Sequence, residues 1–218
     1  MTELVDPPRV RRREITPLTP EQARQLIETS VDDLYRGLWI TALGTGLRQG
    51  ELLALRWEDV DLEAGRLRVR HTLANVAGTL TLLEPKTDRS RRLVVLPEAV
   101  SVALRAHRTR QKMDRLVAGS RWVDSGHVFA TMQGKPHHAA TISRAFEQAL
   151  ARAELPHTRF HDLRHSATTF LLSQGFGLED VKNLLGHSTI VLTSNTYGHV
   201  LEQRQQEMAR GMDAVLGG

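Results

Sequence analysis

Cysteine is missing from all 218 residues. Disulfide frameworks, thiolate metal sites and cysteine nucleophiles are thereby excluded, and the absence suits an intracellular protein. Aromatic residues are scarce, and only two of them are tyrosines, Tyr35 and Tyr197. No apolar run approaches the roughly 20 residues that a membrane-spanning helix needs. The N-terminal stretch MTELVDPPRVRRREITPLT also lacks the hydrophobic core of a secretory signal. The sequence reads as a cytoplasmic protein with no membrane partner.

What is present is ordinary for one globular domain: 40% apolar and 25% charged residues, in a chain long enough for one sizeable core. The 29 basic against 25 acidic side chains give a net charge of +4, which permits a nucleic-acid partner without requiring one.

Residues 1–18 read as a basic linker. They carry two adjacent prolines, a third at position 17, and the arginines Arg9, Arg11, Arg12 and Arg13. These side chains are either solvated or in contact with a DNA backbone. Thr19, Pro20 and Gln22 then spell a capping box that opens a helix. An apolar helical stripe over Leu34, Leu38, Ile40, Ala42 and Leu43 runs to the glycines at 44 and 46, and RQGELLALRW is a second short helix. The period then changes. Leu67, Val69 and His71 alternate with arginines, and TLTLL and RRLVVLP also read as strands, which predicts a three-stranded antiparallel sheet. Helices are expected again in PEAVSVALRAHRTRQKMDRL, ATISRAFEQALARAEL, HDLRHSATTFLLSQG and LEDVKNLLGH. A last amphipathic helix spans 201–218, with Met208, Met212, Val215 and Leu216 among its apolar positions. The fold class is mainly α with one small three-stranded antiparallel sheet (α+β).

Three stretches carry chemistry. In TGLRQGELLALRW, Arg48 stands at a helix start with Glu51 three residues on. A guanidinium there, beside free backbone N–H groups, suits a phosphate oxyanion; a plain surface Arg–Glu pair has the same spacing. In HDLRHSA, His161 and Arg164 share one face at the start of a helix, and His161 with His165 has the i, i+4 spacing of a metal pair, though no HExxH surrounds it. In LLGHSTIVLTSNTYGHV, Gly186 ends a helix, His187 follows, and Tyr197 sits in a polar turn. His187 alone reads equally as a helix-terminal histidine interacting with the dipole.

Taken in order, the arginine of TGLRQGE, then His-x-x-Arg, then Gly-His, then tyrosine resemble the tyrosine recombinase (phage integrase) family, over the chain from about Leu18 to about Val200. The resemblance implies a tyrosine-recombinase-like catalytic domain over 19–200. It also marks Lys86, in EPKTDRSRRLVVLP, as the lysine these enzymes carry in the turn between the second and third strands of the small sheet. A solvated turn lysine is the other reading of Lys86.

The implied activity is site-specific DNA cutting and rejoining through a 3′-phosphotyrosyl intermediate. Tyr197 is the implied nucleophile, and His161 accepts or aids transfer of its proton. Arg48, Arg164 and His187 are implied donors to the non-bridging phosphate oxygens, Lys86 is the general acid for the departing 5′-oxygen, and Glu51 orients Arg48. Neither metal nor other cofactor is implied. The implied partner is double-stranded DNA, with a homotetramer on DNA and a monomer or weak oligomer without it. The 201–218 helix either docks on a neighbouring subunit or packs on its own core. Family members usually carry a DNA-binding domain ahead of this one, so this chain alone is expected to bind DNA weakly and with strong salt dependence. The alternatives are a non-catalytic DNA-binding remnant, a type IB topoisomerase-like relaxing enzyme, and a metal-dependent phosphatase or nuclease using the histidines.

Overall fold

The computed structural model of the chain describes residues 16–84 and 91–185. The expected basic linker arginines Arg9, Arg11, Arg12 and Arg13, together with Lys86, His187, Tyr197 and the 201–218 helix, lie outside the described residues. Helix α1 (Pro20–Thr29) starts as expected. The Thr19 amide donates to Gln22 Oε1 (2.9 Å), and the Gln22 amide donates back to Thr19 Oγ1 (3.2 Å). Leu18, placed with the linker by sequence, is buried in the core, and its amide donates to Ser166 Oγ. Helix α2 (Arg36–Thr45) is buried along most of its length, as expected of a segment with no polar face. It begins later than the apolar stripe suggests. Leu34 and Tyr35 precede it, and Tyr35 packs its ring against Trp39 and His137.

Helix α3 (Gln49–Ala54) follows directly. Strands β1 (Val60–Asp61), β2 (Arg66–Val69), β3 (Thr72–Val76), β4 (Thr79–Leu83) and β5 (Arg92–Val95) come next. Two of the three expected strands do pair: β2 lies between β1 and β5 in an antiparallel three-stranded sheet. TLTLL does not join them. It forms β4, which pairs with β3 in a separate hairpin. The reason is local. Ala77 (φ 49°) and Gly78 (φ 88°) form a two-residue turn with positive φ at both positions, the geometry that closes a tight hairpin. The chain before the turn, overlooked as a strand, therefore takes β4 as its partner, and the edge of β2 is left to β5.

Helices α4 (Glu98–Ala118), α5 (Ala139–Arg152), α6 (Leu163–Ser173) and α7 (Leu178–Leu185) complete the described chain. A 3-10 turn, Phe160–Asp162, leads into α6, so HDLRHSATTFLLSQG is not one continuous helix. Trp39, Phe146 and Phe160 pack ring to ring, with centroids 5.3–5.7 Å apart, and join α2, α5 and this turn in one core. Helices α2, α3 and α6 thus share a buried centre, and their ends are fixed relative to one another. Among the described residues, no helix is long and apolar enough to cross a membrane.

Helix α3 lies hard against β3. A Cβ on Gly50 would stand 2.4 Å from Thr72 Oγ1 and 2.9 Å from the Leu73 carbonyl oxygen. Gly→Ala in an unobstructed helix stabilises by about 1 kcal/mol, so the sign of the effect is diagnostic. Gly50→Ala is expected to lower stability by about 1–3 kcal/mol through overpacking, as measured by urea unfolding. A stabilised variant would show that α3 and β3 are not in this contact.

Candidate active site

The turn between α2 and α3 delivers Arg48. Its backbone is extended (φ −66°, ψ 150°) and caps α3, and Glu51 is the third residue of that helix. Glu51 Oε2 accepts the Arg48 amide (2.9 Å), and Oε1 accepts Arg48 Nη1 (2.9 Å). The carboxylate is only 6% exposed. It is also gripped from β5: Arg92 Nη2 donates to Oε2 (3.0 Å) and Nη1 to Oε1 (3.2 Å). Burial pushes the Glu51 carboxyl upward, but the hydrogen bonds and charge of Arg92, with the Arg48 amide and guanidinium, outweigh it. The net result lies below the ordinary carboxylate value. Glu51 therefore stays ionised, and Arg48 keeps its counter-charge.

Arg164, on the first turn of α6, is buried rather than solvated. Its Nη1 donates to the Gly46 carbonyl and its Nη2 to the Leu185 carbonyl (2.8 Å). It thus clasps the turn that carries Arg48 to the end of α7. A Cβ on Gly46 would meet Leu185 Cδ2 at 2.4 Å, so that approach requires glycine. Helix α7 is described as far as Leu185, and His187 lies two residues further along the sequence.

His161 stands on the 3-10 turn that precedes Arg164. Loss of solvent around its ring lowers its pKa below 6.5; Asp162 opposes the shift, while Arg164, Arg48 and Arg159 add to it. The residue as a whole is exposed, so the ring's immediate surroundings, not deep burial, set this shift. His165, edge-on to His161 with centroids 5.9 Å apart, is shifted down as well, first by burial and then by His161. Both shifts favour the neutral imidazole. Among the described residues, no group of three His, Asp or Glu could hold a metal ion.

Of the residues singled out by sequence, Arg48, Glu51, His161 and Arg164 come together. Arg92 was missed. The signal for it is the pleat: Arg92 shares a strand face with Val94, which is in the core. A cation in phase with the buried face of a strand needs a buried partner.

Chemically, the cluster presents two permanently charged forks and an imidazole whose pKa is lowered, on adjoining turns. It can receive a dianionic or monoanionic oxyacid and accept a proton beside it. Imidazole titration by NMR will place the His161 midpoint below 6.5, and in Arg48→Gln the midpoint will rise because a nearby cation is gone. A midpoint at or above 6.5, or no response to Arg48→Gln, would contradict this geometry.

The Phage integrase family model matches residues 17–204. A tyrosine recombinase XerC-like protein of Caldanaerobacter subterraneus is 35% identical over 208 residues, covering 88% of this chain and 52% of the relative. The ICEBs1 integrase of Bacillus subtilis is 29% identical, covering 90% and 54%. The chain therefore spans about half the length of the curated relatives it matches. Among solved structures, the Tn1549 transposon integrase in complex with transposon right end DNA superposes with a TM-score of 0.76 at 26% identity, covering 95% of this chain and 68% of that one. The XerA recombinase shares the fold, with a TM-score of 0.71 at 21% identity, covering 90% and 66%. The chain belongs to the phage integrase family.

Proposed function

We propose that this chain is the catalytic domain of a site-specific DNA recombinase that cuts and rejoins double-stranded DNA through a 3′-phosphotyrosyl intermediate. One observation carries the reading: Arg48 is held by Glu51 at the start of α3, and Arg164, three residues after His161, grips the Gly46 carbonyl of the turn that delivers Arg48. Tyr197 attacks the scissile phosphorus, its O–H proton passes to His161 or a water beside it, and the 5′-oxygen leaves with a proton from Lys86. The phosphate ester is exchanged rather than hydrolysed, so rejoining needs no external energy source. Arg48, Arg164 and His187 donate to the non-bridging oxygens, where charge builds in the transition state; preorganised donors are worth most there. Glu51 orients Arg48. A phenol with a pKa of about 10 is a poor nucleophile at neutral pH, which gives the neutral imidazole its task.

The Tn1549 relative solved with DNA supports a duplex as substrate. Assembly as a tetramer on DNA follows from the same reading, with 19–200 as the catalytic unit, the basic 1–18 segment against the DNA backbone and the 201–218 helix at a subunit contact. The reaction takes place in the cytoplasm of the host cell.

The test is covalent trapping on nicked duplexes in EDTA, followed by digestion and mass spectrometry. A nucleotide adduct on Tyr197, absent from Tyr197→Phe, is expected. An adduct that persists in Tyr197→Phe, or cleavage abolished by the chelator, would overturn the mechanism. Relaxation of any plasmid regardless of sequence would favour a topoisomerase-like activity instead.

A further inference from the structure

Arg92 makes more of its guanidinium than a structural ion pair requires. Two of its nitrogens hold the Glu51 carboxylate, and the third, Nε, donates to the Leu184 carbonyl at 3.0 Å. The side chain is 8% exposed. The next carbonyl along, Leu185, is taken by Arg164. Two guanidiniums from two different elements therefore bind the consecutive carbonyls of Leu184 and Leu185 in α7. One of these guanidiniums also holds the carboxylate that holds Arg48; the other also holds the turn that carries Arg48.

We propose that Arg92 is a positioning residue. Through Glu51 it fixes the Arg48 guanidinium, and through the Leu184 carbonyl it fixes α7, so that Arg48 and Leu184 are set by one buried cation. The inference rests on the catalytic reading above for its effect on rate, but the linkage itself stands on the geometry. A lysine cannot replace this fork, because one ammonium cannot span two carboxylate oxygens and a carbonyl in three directions. The design also explains why the cation sits on β5. That strand is paired to β2 in fixed register, with Arg92 opposite Val69, and a sheet position is a more rigid mount than a loop.

The experiment has two arms. The first uses the free wild-type chain and amide hydrogen exchange across a urea series. The Arg48 amide, which donates to Glu51, and the Leu184 and Leu185 amides of α7 are expected to exchange through one common opening with the same urea dependence. Separate openings would overturn the linkage, whether or not the chain cuts DNA. The second arm measures single-turnover cleavage of nicked duplexes. Arg92→Lys is expected to slow adduct formation about 10–100-fold, the scale on which a displacement of about 1 Å in a reacting group acts, with duplex affinity changed less than about twofold. In an Arg48→Lys background the same substitution should cost less than about threefold, because residues acting as one unit are not additive. Wild-type rates in Arg92→Lys, or a loss that multiplies undiminished in the Arg48→Lys background, would overturn the positioning role. A wild-type chain that forms no adduct would instead count against the recombinase reading, while the exchange data would still decide the linkage.

Discussion

The site depends on a single buried carboxylate. Glu51 is nearly closed off from solvent and accepts from two guanidiniums and one backbone amide. A lone carboxylate in such a place would protonate or destabilise the fold, and removing one partner of a buried pair typically costs about 3–5 kcal/mol. With Arg92 opposite, the charge is compensated before any substrate arrives. Arg48 is then free of the need to neutralise Glu51 alone, and its positive charge, with that of Arg164, remains for an anion. Arg48, Arg92 and Arg164 against Glu51, with the Arg159–Asp162 pair alongside, leave the cluster positively charged.

The architecture brings these groups together with little sequence between elements. Helix α2 runs straight into α3 through the Gly46–Arg48 turn, so Arg48 inherits the rigidity of the core helix that contains Trp39. Helix α6 starts from the Phe160 turn, and Phe160 is packed on Trp39 and Phe146. Arg164 is thereby mounted on the same aromatic centre. The end of α7 is drawn in by arginines on β5 and α6, not by apolar contact alone. Preorganisation of this kind is what electrostatic stabilisation of a phosphoryl transition state requires.

Much of this was legible in the sequence. TGLRQGE announces a turn, a cation and an acidic third helical residue, and the capping geometry of Glu51 follows from that spacing. HDLR places His161 and Arg164 together at a helix start, although His161 sits on the 3-10 turn ahead of α6. What the sequence did not disclose are interactions with backbone carbonyls: nothing in the letters marks Gly46, Leu184 and Leu185 as acceptors for buried guanidiniums, so the burial of Arg164 was not foreseen and Arg92 read as an ordinary strand residue. Strand partners failed in the same way. Periodicity found β2, β4 and β5, but pairing was settled by the positive-φ turn at Ala77–Gly78, which gave β4 to β3. The start of α2 was misplaced because Leu34 continues its apolar stripe into a segment that is turn, not helix.

The central claim is that Glu51 stays charged in a dry place because Arg92 and Arg48 hold it. The most direct measurement is the carboxyl ¹³C titration of Glu51 by NMR in the intact chain. The account predicts a midpoint below the ordinary value of 4.5, with the matching stability present above that pH and lost as pH falls through the depressed midpoint. A midpoint above 4.5 would mean that burial prevails over the arginines, and the site as described would not hold.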